Sequence, residues 1–97
     1  MIFIGKKAVV TTAHRGVFFG TLDALDREAK TATLSDGRNC LCWTRAVRGF
    51  MGLAVTGPGD GCRVGPAVIK IDLYDITSVI LCTDDAIDKW ESGPWSS

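Results

Sequence analysis

Arg38, Arg45, Arg48 and Arg63 frame the run RGFMGLAVTGPGDGCRVGP, which extends from Arg48 to Pro66 and holds six glycines and two prolines. A guanidinium is planar, stays charged at any physiological pH and meets a phosphate with a two-pronged fork. Glycine reaches positive φ without a Cβ clash and proline removes a backbone donor, so such a run is neither helix nor strand throughout. It reads as a shaped loop. The N–H groups of Gly57, Gly59 and Gly61 then offer a concave donor surface to an anion. The run lacks the Gly-Lys-Ser/Thr ending of a nucleotide-hydrolysing loop, so the chemistry indicated is phosphate binding, not phosphoryl transfer.

Aromatic residues extend this candidate site. Trp43 and one of Phe18 and Phe19 are placed to stack on a base, as aromatic side chains do in nucleotide and single-strand sites. Adjacent strand residues face opposite ways, so one of the two phenylalanines points away from the core unless a helix covers it. His14 and Arg15 add the chain's one imidazole and another guanidinium. Taken singly, each arginine is an ordinary solvated side chain and each aromatic an ordinary packing residue. The signal lies in the group. Trp90 and Trp95, flanking Pro94, read differently, as a clip that presses the end of the chain onto the body of the protein.

Catalytic and metal chemistry find little support. No Ser/His/Asp spacing, paired-carboxylate motif or His-Glu-x-x-His element is present, and a lone histidine needs a partner to act as acid or base. An enzyme is not expected, and no cofactor is implied. The cysteines at 40, 42, 62 and 82 form one Cys-x-Cys followed by isolated thiols, which is not zinc-ligand spacing. In a reducing compartment they act as small hydrophobes, and no disulfide is expected.

Composition bounds the rest. A length of 97 residues fits one domain, 1–97. The 11 basic and 11 acidic residues cancel, which argues against a nucleic-acid coat, stable DNA binding or a membrane-surface role. The distribution is uneven: residues 1–50 hold eight Lys/Arg against four Asp/Glu, and residues 51–97 hold three against seven. That asymmetry steers an anion to one face, brings two copies together, or pairs internally. The opening MIFIGKK puts apolar residues before charges, the reverse of a secretory signal, and no apolar run reaches membrane length. A soluble, cytoplasmic protein is expected.

Strand compositions run from Lys6 to Thr12, Gly16 to Leu22 and Lys30 to Leu34. Turns are read at residues 13–16, at the charged tip Asp26-Arg27-Glu28-Ala29 and at Ser35-Asp36-Gly37. Cys40 to Trp43 adds a fourth strand or leads into a helical piece over 44–53, although Gly49 and Gly52 weaken a helix. Val68 to Leu73 alternates as a half-buried strand, and Ile76 to Cys82 is apolar enough for burial on both faces. Thr83 is an N-cap, with Asp84 and Asp85 in the first turn of a helix running to Trp90 or Glu91. Gly93-Pro94 stops it. The fold class expected is mainly β with minor α: a small SH3-like or Sm-like antiparallel β-barrel of five or six short strands with a short C-terminal helix.

The segments HRGVFFG (14–20), RNCLCW (38–43), GCRVGPA (61–67), DITSV (75–79) and WESGPW (90–95) together resemble a family of small uncharacterised proteins encoded by tailed phages and prophages. The resemblance spans most of the chain and implies a viral source, and hence an infected bacterial cell as the location. By analogy with oligomeric phage proteins of similar size that sequester nucleotide immune signals, the expected function is a sponge. Such a protein binds a cyclic dinucleotide or another phosphate-bearing nucleotide without hydrolysing it, as a homo-oligomer whose subunits share the pocket. The alternatives are a protein–protein interaction module, host-directed or virion-associated, and Sm-like RNA binding, which predicts strongly salt-dependent affinity for single strands.

Overall fold

The computed structural model describes residues 2–14 and 16–92. Its elements are β1 (Lys7–Thr12), β2 (Val17–Asp26), β3 (Thr31–Cys42), a 3-10 turn (Arg45–Val47), α1 (Gly49–Val55), β4 (Arg63–Val64), β5 (Val68–Tyr74), β6 (Ile76–Leu81) and α2 (Asp84–Ser92). All strand pairings are antiparallel. The protein is therefore mainly β with two short helices, as its composition indicates.

The sheet runs β4-β3-β2-β1-β6, with β5 paired to the other half of the β3 edge that β4 occupies. Its two borders, β5 and β6, are consecutive in the chain and joined through Asp75, which takes a positive φ of 55°. The neighbouring amides secure that link: Ile76 N–H donates to the Lys30 carbonyl at 3.0 Å and Ala13 N–H to the Asp75 carbonyl at 2.9 Å. A ribbon whose opposite borders share a corner must curl, which is the barrel-like solution that hides sheet edges.

Curling gives β1 two buried faces. Ala8, Val9, Val10 and Thr11 are all buried. Val10 packs with Leu22, Leu34 and Leu73 inside the curl, whereas Val9 packs with Phe19, Leu53, Val64 and Trp90 between the sheet and the helices. Phe18 and Phe19 follow the same division. A helical layer does cover the second phenylalanine: Phe19 stacks on Trp90 at 4.9 Å with planes 4° apart, while Phe18 packs, partly exposed, against the inner cluster.

The helical layer satisfies its own termini. The last carbonyls of a helix lack intrahelical donors; in α1 those of Leu53, Ala54 and Val55 accept from Trp90 Nε1 at 2.9 Å, Thr83 N at 2.9 Å and Thr83 Oγ1 at 2.6 Å. Thr83 Oγ1 also accepts from Ala86 N at 3.1 Å, which is the N-cap its sequence position indicates.

Several expectations need correction. Ser35-Asp36-Gly37 is no turn: β3 continues through it, and the pairing jumps from Phe19↔Arg38 to Thr21↔Ser35. Asp36 at φ 52° absorbs the extra length, so a turn-like tripeptide makes a bulge that bends one long strand. The helical piece begins as a 3-10 turn and restarts as α1 after left-handed Arg48 and Gly49, at φ 70° and 83°. Gly52 is required here, because a Cβ would fall 1.5 Å from the Val47 carbonyl oxygen. Ile76 to Cys82 is not buried on both faces; β6 is a border strand of intermediate exposure. Gly93, Pro94 and Trp95 lie outside the described residues, so only the Trp90 half of the expected clip is seen, and it is wholly buried.

Candidate functional site

The glycine-rich run does not form one anion cradle. Its first third is helix α1, and Gly57 at φ 77° lies flat against α2, where a Cβ would come within 2.7 Å of Lys89 Cβ and 3.0 Å of the Ala86 carbonyl. Gly57 is thus needed for close packing, with its face turned to protein. Gly59 has open space around it, but its carbonyl accepts from Cys62 N at 3.0 Å in a tight turn. Gly61, at φ 87°, lies against Thr44, whose Cγ2 would be 2.7 Å from an added Cβ.

The arginines divide in the same way. Arg38 donates through Nε to the Gly65 carbonyl at 2.8 Å and through Nη1 to the Trp90 carbonyl at 2.7 Å, so its fork ties the β4–β5 connection to the end of α2. Arg45 and Arg48 are exposed and form no ion pair with another described residue. Arg63 is exposed on β4, opposite Cys42. With Cys42 paired to Arg63 and Thr44 against Gly61, the stretch from Trp43 to Arg48 emerges at the β4 end of β3.

Trp43, the first residue of that stretch, lines a groove of about 410 Å³ together with Thr11, Thr12, Gly16, Val17, Phe50, Thr77 and Ser78. Trp43 and Phe50 supply its aromatic surface and four hydroxyls from β1 and β6 its polar one. Its volume lies within the range of small-ligand sites, and an apolar wall with a few convergent polar groups is the usual composition of such sites. Thr11 Oγ1 bonds both Thr77 Oγ1, at 2.7 Å, and Ser78 Oγ, at 2.5 Å. Thr12 Oγ1 accepts from Gly16 N at 3.0 Å and keeps its own proton for another acceptor. His14 stands at the tip of the turn whose two ends line the groove, exposed and 3.4 Å from Asp75 Oδ2. Arg15 lies outside the described residues.

Phe18 is brought elsewhere. With Leu41, Pro66, Val68 and Ile71 it lines a second, more apolar groove of about 280 Å³ beside β5, where Ile69 is 86% exposed. Of the expected residues, therefore, Trp43 lines the larger groove and Arg45 and Arg48 share its segment, while Arg38, Gly57 and Phe18 belong to other parts of the molecule. Thr11, Thr12, Phe50, Thr77 and Ser78 were not marked by the sequence, because threonine and serine in strands carry no sign of which hydroxyls will converge.

Two of the four thiols are held in the protonated form. Burial pushes Cys40 and Cys82 up to about 12, with the neighbouring Cys62 and Cys42 adding to the shift at Cys40, so both are protonated and unreactive near neutrality. Among the described residues no cluster of His, Cys, Asp or Glu could hold a metal ion, and no helix is long and apolar enough to cross a membrane. Asp23, whose carboxyl is held below its ordinary value chiefly by the Ser35 hydroxyl and then by Lys70, sits away from the groove lining.

Over residues 5–90 the chain matches, and so belongs to, a family described as a domain of unknown function, DUF6948. No curated protein matches it significantly.

Proposed function

We propose that this member of the DUF6948 family is a binding protein that holds a nucleotide in the Trp43–Phe50 groove without turning it over. The observation that carries the reading is the groove itself: two aromatic side chains, four hydroxyls, and the exposed Arg45 and Arg48 on the segment that bears both aromatics. A base stacked on Trp43 would gain about 1–3 kcal/mol. The two guanidiniums, with Arg63 at the same end, suit the phosphate. Among the described residues, the groove lining has no carboxylate or imidazole to act as acid or base.

The narrower form of the proposal is a phage-encoded homo-oligomer that sequesters a cyclic dinucleotide or related second messenger in an infected cell. It rests on the resemblance of the sequence segments and on the modest size of one groove, which favours a dinucleotide shared between copies. Thermal unfolding with mononucleotides and cyclic dinucleotides tests both forms. A rise in midpoint, with intact nucleotide recovered after denaturation, supports them; chemical conversion or no shift across the panel removes them, and a monomer by light scattering removes the narrower one. A second reading, an interaction module for another protein, draws on exposed Leu41 and Val68 in the second groove and Ile69 beside it. It predicts no stabilisation by any nucleotide.

A further inference from the structure

Neighbouring residues of a regular strand point to opposite faces, yet Thr77 and Ser78 both reach the same oxygen, Thr11 Oγ1. The pairing of β1 with β6 explains this. Thr11 faces Ser78 and Thr12 faces Ile76, so Thr77 is an extra residue, a bulge that turns two consecutive hydroxyls toward one groove. Bulges of this kind re-aim side chains and gather beside functional sites.

The proton count of this trio restricts what it shows a ligand. Three hydroxyls carry three protons, and the two bonds to Thr11 Oγ1 use two of them. Thr11 has one proton and donates to only one neighbour, so the other neighbour must donate to Thr11. The neighbour that accepts from Thr11 keeps a proton to offer outward, and the neighbour that donates to Thr11 offers only lone pairs. Reversing both bonds exchanges these roles. The arrangement in which both neighbours donate inward strands the proton of Thr11, a residue only 7% exposed, and is disfavoured.

We infer that the groove recognises a base edge carrying one donor beside one acceptor, in either order, through the Thr11–Thr77–Ser78 relay; this rests on the nucleotide reading above. Adenine presents an amino donor beside a ring-nitrogen acceptor, and hypoxanthine presents a carbonyl acceptor beside a ring N–H donor. The relay accommodates both by reversing. An edge with two acceptors demands two outward protons and breaks one of the bonds to Thr11.

Titration calorimetry with adenosine, inosine and 6-methoxypurine riboside 5′-monophosphates tests this, the last having an acceptor–acceptor edge. The first two should bind within about threefold of each other and the third roughly tenfold more weakly, the cost of one unmade hydrogen bond. In Thr11→Val, of nearly the same shape, both outer hydroxyls are free to donate, and the deficit of the methoxy compound should shrink to within about threefold. Should that variant fail to fold, Thr77→Val at an exposed position serves instead and should weaken the adenosine and inosine nucleotides by equal factors. A difference above about tenfold between those two, equal binding of the methoxy compound to the wild type, or an unequal loss in Thr77→Val overturns the relay while leaving nucleotide binding intact. No binding by any of the three overturns the nucleotide reading and the relay with it.

Discussion

Trp90 and Trp43 lie in the same small protein under opposite conditions. Trp90 is fully buried, stacked on Phe19 and hydrogen-bonded through its indole nitrogen, while Trp43 is 36% exposed on the wall of a groove. Each has an arginine to match. Arg38 is bonded to two main-chain carbonyls on the helical side, and Arg45 and Arg48 extend into solvent beyond Trp43. Residue type is thus the same on the two sides and role is not: what separates them is whether neighbouring backbone has already used the polar atoms of the side chain.

The contrast breaks most visibly at Trp90. Trp90→Ala should lower stability by about 3–5 kcal/mol through the cavity it leaves and the Leu53 carbonyl it strands, a fall in thermal midpoint on the order of 15–30 °C for a domain of this size. Arg38→Met should cost about 1.5–3 kcal/mol by the same measurement, since two carbonyls lose a charged donor, with nucleotide affinity in the surviving folded protein unchanged. Trp43→Ala inverts the pattern. Its affinity for a nucleotide should fall by about 1–3 kcal/mol in calorimetry, while its unfolding free energy in urea changes by no more than about 0.5 kcal/mol.

Arg48→Gly sharpens the comparison further, because Arg48 holds a left-handed φ of 70° that costs an L-residue about 1 kcal/mol. Glycine should raise the unfolding free energy in urea by that amount and weaken nucleotide binding several-fold, the two effects having opposite signs. The remaining effect is alkaline and belongs to the closed side. Cys40 and Cys82, raised to about 12 when folded, ionise from about 9 when unfolded. Between those values the folded state holds more protons, so stability falls as pH rises through the window and is unaffected below it. Urea unfolding from pH 8 to 11 should show that slope, reduced in Cys82→Val.

Much of the scaffold was legible in the sequence because local chemistry and tertiary need agree there. The charged tip at residues 26–29 does connect β2 to β3, and Thr83 does cap α2. Ser35-Asp36-Gly37 misled because a left-handed residue serves a bulge as well as a turn, and only the partner strand decides which. The candidate site was less legible. Trp43 was recognisable by type, but Phe50 becomes a groove wall only through the kink at Arg48 and Gly49, and Thr77 joins Ser78 only through a register slip relative to β1. The place of Arg38 was hidden for a related reason: its partners, Gly65 and Trp90, are main-chain oxygens far along the chain, and no side-chain pattern announces them.

The corner at Asp75 also sets how the molecule should move. The last residue of β5 and the first of β6 are separated by the single residue Asp75, pinned on both sides, so neither border can peel away from the sheet while the other stays seated. A guest held by Thr77 and Ser78 grips the chain just beyond that corner. Amide exchange along β5, on the far border, should therefore slow in step with exchange along β6 when the groove is filled, although β5 itself contributes nothing to its lining.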